Sequence, residues 1–233
     1  NLLIAGLAAV WLLVEITPAD ERPSDAMMLG AAALAMAQPA LLGGLETGMT
    51  EAQTMGWIGL AAASLLRLRH TERWSAVTVA GVLLGATVWG GPYTAIYASV
   101  VVVPVGFSVL KVRRSRKAAA QLGVVFGIAV LLAVPVLYAV LVARPEGLPG
   151  ADSIMPMVLA EPGAVKNLML GADPAAMLLP RPAEDVLHPV YIGIPMLVIA
   201  VVGSRAPVGL WVAIGLLLVL GMGFHLQWDG ELV

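Results

Sequence analysis

The sequence predicts an all-α fold: a polytopic transmembrane bundle of about eight helices, with one long outer loop carrying short interfacial helices. Three observations predict it. Hydrophobic residues make up 60% of the 233 residues and charged residues only 12%, about half the charged share of an ordinary soluble domain. Residues 26–45, 74–110 and 118–143 carry no charge at all, and roughly 20 apolar residues cross a bilayer core. The apolar runs also lack the strict alternation of a membrane β-barrel, and lipid admits only helices and closed barrels.

The elements follow in order. The first helix covers about residues 1–16, and TPADERPSD at 17–25 is a polar loop with two prolines. The second covers about 26–44, with Pro39 as a kink near its end. A short acidic turn, ETGMTE at 46–51, precedes a third helix over 52–66. The basic loop RLRHTER at 67–73 leads to a fourth helix over 74–89, which Gly90-Gly91-Pro92 terminates. The fifth runs over 93–110 through Pro104. The connection KVRRSRK at 111–117, with five positive charges, opens a sixth helix over 118–143 that contains Pro135. Residues 144–189 differ in kind: prolines, mixed charge and short apolar patches mark an extracytoplasmic loop within a single transmembrane domain spanning 1–233. Helices over 190–203 and 208–224, separated by a tight turn, complete the set.

Charge sets the orientation. Short loops rich in Lys and Arg stay on the cytoplasmic side. The two basic loops, 67–73 and 111–117, are two helices apart and so lie on one side, assigned as cytoplasmic, with Arg205. Alternation sends Glu46, Glu51, the 90–93 turn, the 144–189 loop and both chain ends outward. Trp57, Trp74, Trp89, Tyr93 and Trp228 all fall near predicted helix ends, the position of interfacial anchors. Gly81-x-x-x-Gly85 and Gly123-x-x-x-Gly127 offer close helix approach. The sequence begins at Asn1 without an initiator Met and already within an apolar stretch, which suggests a piece of a longer chain.

Several chemistries find no motif. A phosphate-binding glycine loop, a Gly-x-Ser-x-Gly elbow and His-Glu-x-x-His are all missing, and the chain has no cysteine for thiolate metal sites or disulfides. A histidine metal site would need His188 and His225 to meet, so no metal site is assigned; no cofactor is evident, and a divalent metal stays open. The basic residues form two short loops without a supporting surface, which argues against nucleic acid. Glu15 is the nearest to an intramembrane charge, and it is expected at the interface. Gln38, Gln53 and Gln121 are expected to pack between helices. The scarcity of buried charge ranks an ion-coupled carrier last, although Pro39, Pro104 and Pro135 could break helices.

Polar chemistry collects on the outer side. Arg144, Lys166, Arg181 and His188 are candidates to hold the phosphate oxygens of a lipid-borne substrate, and a carboxylate there could serve as general base. The competing reading is a solvated loop that only caps the bundle.

Five segments carry a resemblance: GLETGMTEAQTMGWIGLAAASLLRLR at 44–69, the helix end WGGPY at 89–93 with Tyr97, NLMLGADPAAMLLP at 167–180, HPVYIGIPMLVIA at 188–200 and LVLGMGFHLQWDG at 218–230. Their order resembles the polytopic C-type glycosyltransferase superfamily (GT-C), especially bacterial YfhO-type membrane proteins. The resemblance implies a bacterial cytoplasmic-membrane enzyme that moves a sugar from a polyprenyl-phosphate donor on the outer face. It also implies a catalytic acid in a first outer loop, which would precede Asn1. Glu46, in the family-like glycine turn, is the weak catalytic candidate within the chain. An accessory transmembrane subunit of a larger membrane complex is the alternative.

Overall fold

The computed structural model describes residues 2–18, 20–37, 50–90, 92–141, 207–222, 227–228 and 231–232. These are all-helical apart from one small hairpin. The helices are α1 (Leu2–Ile16), α2 (Asp25–Met36), α3 (Thr50–Arg67), α4 (Trp74–Val88), α5 (Pro92–Arg113), α6 (Arg116–Leu141) and α7 (Val208–Met222). The two-residue strands β1 (Gln227–Trp228) and β2 (Glu231–Leu232) pair antiparallel after the last helix.

Local chemistry explains the helix ends. Ser24 caps α2 by accepting a hydrogen bond from the Met27 N–H at 3.3 Å. Ser115 caps α6 in the same way, its Oγ accepting from the Ala118 N–H at 3.1 Å. α5 runs on to Arg113, where Arg114 adopts a left-handed φ of 42°, a conformation costly for a side chain with a Cβ. The expected basic loop at 111–117 is therefore mostly helix, with only Arg114 and Ser115 between α5 and α6. Hydroxyls within helices are satisfied locally: Ser64 donates to the Ala61 carbonyl at 2.8 Å and Thr87 to the Leu84 carbonyl at 2.6 Å. This back-bonding lets a buried polar side chain do without water.

α3 is the hub. It packs against α1, α4 and α5, while α4 lies along α6 and α5 against α7. The core combines Leu65, Leu66 and Leu68 with Val77, Ala80 and Leu84 of α4, Val102, Val105 and Val109 of α5, and Leu122 and Val125 of α6. Glycines set the closest approaches. A Cβ on Gly81 would lie 2.7 Å from Ile128 Cβ, and one on Gly85 would lie 2.8 Å from Leu132 Cβ. Gly59 meets Ala8 of α1 in the same manner, at 2.9 Å. Gly123 and Gly127 have open space instead, so this second pair joins no helices among the described residues.

Two helical spans, Thr94–Arg113 and Arg116–Tyr138, are long and apolar enough to cross a membrane. Only about a third of each is buried (33% and 28%). Their outward faces carry Val103 and Phe107 on α5, and Val124, Phe126, Val130, Leu131, Val134 and Leu137 on α6.

Candidate functional site

Polar side chains of the described residues concentrate where α3 ends, α4 begins, and α5 passes into α6. The elements explain the convergence. The turn at 68–73 joins α3 to α4, the Arg114–Ser115 break joins α5 to α6, and the packing of α5 on α3 brings the two connections together.

Arg113 is the centre. Its side chain is only 8% exposed. Nη1 donates to Gln121 Oε1 at 2.6 Å and to the carbonyls of Leu68 and Thr71 at 3.3 and 3.4 Å. Nη2 stands 3.0 Å from Glu72 Oε1. Gln121, fully buried, completes the loop by donating from Nε2 to the Glu72 carbonyl at 2.8 Å. Lys117 Nζ approaches the other Glu72 oxygen at 2.5 Å. The Lys117 hydrogen bond and charge, followed by Arg113, hold the Glu72 carboxyl below its ordinary value. Glu72 itself is exposed, so this pair is screened by water. The arrangement clamps two turns: one guanidinium satisfies carbonyls that the end of α3 leaves without helical partners.

A second polar group sits beside it. Arg67 Nη1 bonds Glu15 Oε1 at 3.2 Å, and the same oxygen accepts from Trp11 Nε1 at 3.0 Å. Glu15 is buried and Arg67 half exposed. The residue expected at an interface is thus tied across helices to the end of α3. A cleft of about 910 Å³ adjoins it, lined by Trp11, Arg67, His70, Glu72 and Arg73 among others. Among the described residues, no cluster of histidine and carboxylate side chains could hold a metal ion.

The sequence-predicted site residues stand elsewhere. Glu46, Arg144, Lys166, Arg181 and His188 all lie outside the described residues, as do the Pro39 kink and the helix expected over 190–203. Gln121, expected to pack between helices, instead hydrogen-bonds between elements, and its role depends on Arg113, which composition alone classed with the loop charges. A signal was present: Arg113 and Gln121 are eight residues apart across a helix break, with Glu72 in the other basic turn. At the opposite end, Pro135 removes the helical donor for the Leu131 carbonyl. In that turn the Leu132 carbonyl accepts Trp89 Nε1 at 3.0 Å.

No family model, curated protein or solved structure matches this chain.

Proposed function

We propose that the chain is a polytopic membrane protein of about eight spans, with the Arg113 clamp at the cytoplasmic face and a lipid-linked substrate handled at the outer face. The observation that carries the membrane part is the outward surface of α5 and α6. It exposes Val130, Leu131, Val134 and Leu137 as a contiguous apolar stripe on α6, the kind of surface that marks contact with a membrane or a partner. Lipid solvates such a face at no cost, and close packing at glycines then supplies helix association. Among the described residues, the arginines and lysines of the 67–73 and 111–117 connections lie together at one end of the bundle, the pattern that orientation by positive charge calls for.

The activity we propose is transfer of a sugar from a polyprenyl-phosphate donor, on the resemblance of residues 44–69, 89–97, 167–180, 188–200 and 218–230 to GT-C proteins. Glu46 would be the carboxylate nearest the chemistry, and Arg144, Lys166, Arg181 and His188 would hold the phosphate. An apolar groove of about 460 Å³ bordered by Trp57, Val82, Trp89 and Leu132 has a suitable lining for a hydrocarbon chain. An accessory transmembrane subunit is the second reading, favoured by the clamp itself: its hydrogen bonds and ion pairs hold two turns together.

Labelling and binding test the two parts. The chain has no cysteine, so single introduced thiols report cleanly. Leu131→Cys should resist a membrane-impermeant maleimide, Lys117→Cys should react only from the cytoplasmic side, and His188→Cys only from outside. Reaction of Leu131→Cys from water in intact vesicles would sink the membrane assignment. Purified chain in liposomes should bind polyprenyl-phosphate sugar and release polyprenyl phosphate when acceptor is present. Absence of binding, with stoichiometric capture of another membrane chain, would replace the transferase reading with the accessory one.

A further inference from the structure

The second face of the basic end, between α5 and α7, has a different composition from the clamp. A groove of about 760 Å³ runs there, bordered by Arg69, Lys111 and Arg114 at one end. Its other end is lined by Val103, Pro104, Phe107, Val208 and Val212. Among the described residues, no carboxylate borders it. The three ion pairs among the described residues use Arg67, Arg113 and Lys117, leaving these three cations out. Arg69 Nε is buried and has no hydrogen-bond partner among the described residues.

The order of residues along the helices gives the groove a polarity. Val103, Phe107 and Lys111 are spaced four apart on α5 and so share one face. Eight residues of helix span about 12 Å, so cations lie about 12 Å from the apolar end. Val208 and Val212 make the matching stripe on α7, and both are exposed, as are Val103 and Phe107. The wall is closed where Gly209 lies directly against the Pro104 carbonyl, too tightly for any Cβ.

We propose that this groove binds one anionic phospholipid of the cytoplasmic leaflet, its phosphodiester held by Arg69, Lys111 and Arg114 and an acyl chain lying along Phe107, Val103 and Val212. The charge complementarity selects an anion. The apolar run below the cations selects a lipid over free phosphate, because a soluble ion would leave that surface uncovered. Juxtamembrane cations favour acidic headgroups in just this leaflet. The lipid would supply the acceptor that Arg69 Nε lacks and would bridge the α5–α6 turn to α7. The inference rests on the membrane reading above.

Full chain is reconstituted in phosphatidylcholine vesicles with and without phosphatidylglycerol, and native mass spectrometry after detergent extraction counts retained lipid. Wild-type chain should retain phosphatidylglycerol over phosphatidylcholine by about tenfold. The pair Arg69→Gln with Lys111→Gln should bring that ratio close to one. The pair Arg73→Gln with Arg116→Gln removes the same charge away from the groove and should keep the wild-type preference. Lys111→Gln alone, an exposed position, keeps the test readable if the first pair does not fold, and should lower the ratio several-fold. Equal loss in both pairs would overturn the site in favour of general surface charge. Displacement of the lipid by millimolar inorganic phosphate would overturn it in favour of a soluble anion. A chain that stays dispersed without detergent would instead overturn the membrane reading itself, a separate result from failure to discriminate the two lipids.

Discussion

Residues 58–66 of α3 are enclosed almost completely, with Ala61, Ala63, Leu65 and Leu66 at 0% exposure. α6 is longer and more apolar, yet Leu131 is 72% exposed and its neighbours Val130 and Val134 also face outward. The helix richer in hydrophobic residues is therefore the less buried one. In water the order would be reversed, because burial scales with apolar surface. On the membrane reading proposed above, apolarity marks what surrounds a segment, and helix neighbours are chosen by shape: small residues at Gly59, Gly81 and Gly85 let backbones approach, and a few polar side chains fix the ends.

The largest expected effect lies at the glycines that separate these two kinds of surface. Gly81→Val drives a side chain into Ile128 and should cost about 3 kcal/mol in detergent-micelle unfolding. Gly123→Val, on the open face of α6, should stay within about 0.5 kcal/mol. Equal costs at the two sites would mean that the α4–α6 crossing is not the one described. Next comes the clamp. Gln121→Leu leaves a buried guanidinium and the Glu72 carbonyl short of partners, and should cost about 2 kcal/mol by the same measurement, with α3 and α5 loosened together.

A smaller effect is expected for the pair at the other side of α3. A double-mutant cycle of Glu15→Gln and Arg67→Gln should give a coupling below about 1 kcal/mol, because Arg67 is half exposed and water screens the pair. A coupling of several kcal/mol would place this end of the bundle in a drier setting than its exposure indicates.

The smallest is a pH dependence. Lys117 and then Arg113 lower the Glu72 carboxyl below 4.5 in the folded chain. Its contribution is complete above that ordinary value and is lost as pH falls through the lowered one. Thermal unfolding in detergent should weaken on acidification below about pH 4.5, and Glu72→Gln should flatten that limb. An unchanged acid limb in the variant would show that Glu72 does not carry it.

Much of the secondary structure was legible before any coordinates. α1, α3, α4 and α6 begin and end within a few residues of the expected limits, because uncharged runs and turn residues such as Gly90-Gly91-Pro92 punctuate the chain strongly. α5 differs at its end. Lys111 and Arg113 read as loop charges, but cations suit the last turn of a helix, and Arg113 stays helical because its guanidinium finds carbonyls at 68 and 71. The two Gly-x-x-x-Gly pairs look alike in sequence, and among the described residues only the one at Gly81 and Gly85 packs on another helix. Which glycine meets a neighbour depends on helix rotation, which a local pattern does not contain. Glu15 was placed at an interface by its position near a helix end; its pairing with Arg67, 52 residues away, required the α1–α3 crossing.

Composition by itself determined that the long apolar runs among the described residues are helical and that cations gather in the connections at 67–73 and 111–117, because charge is excluded from long apolar runs whatever those runs pack against. Tertiary structure alone decided which apolar helix becomes the hub, which glycines touch, and that Arg113 serves as a clamp while Arg69, Lys111 and Arg114 border a groove. These depend on distances between segments remote in sequence, where a rotation of one helix by a single residue, about 100°, exchanges a buried side chain for an exposed one.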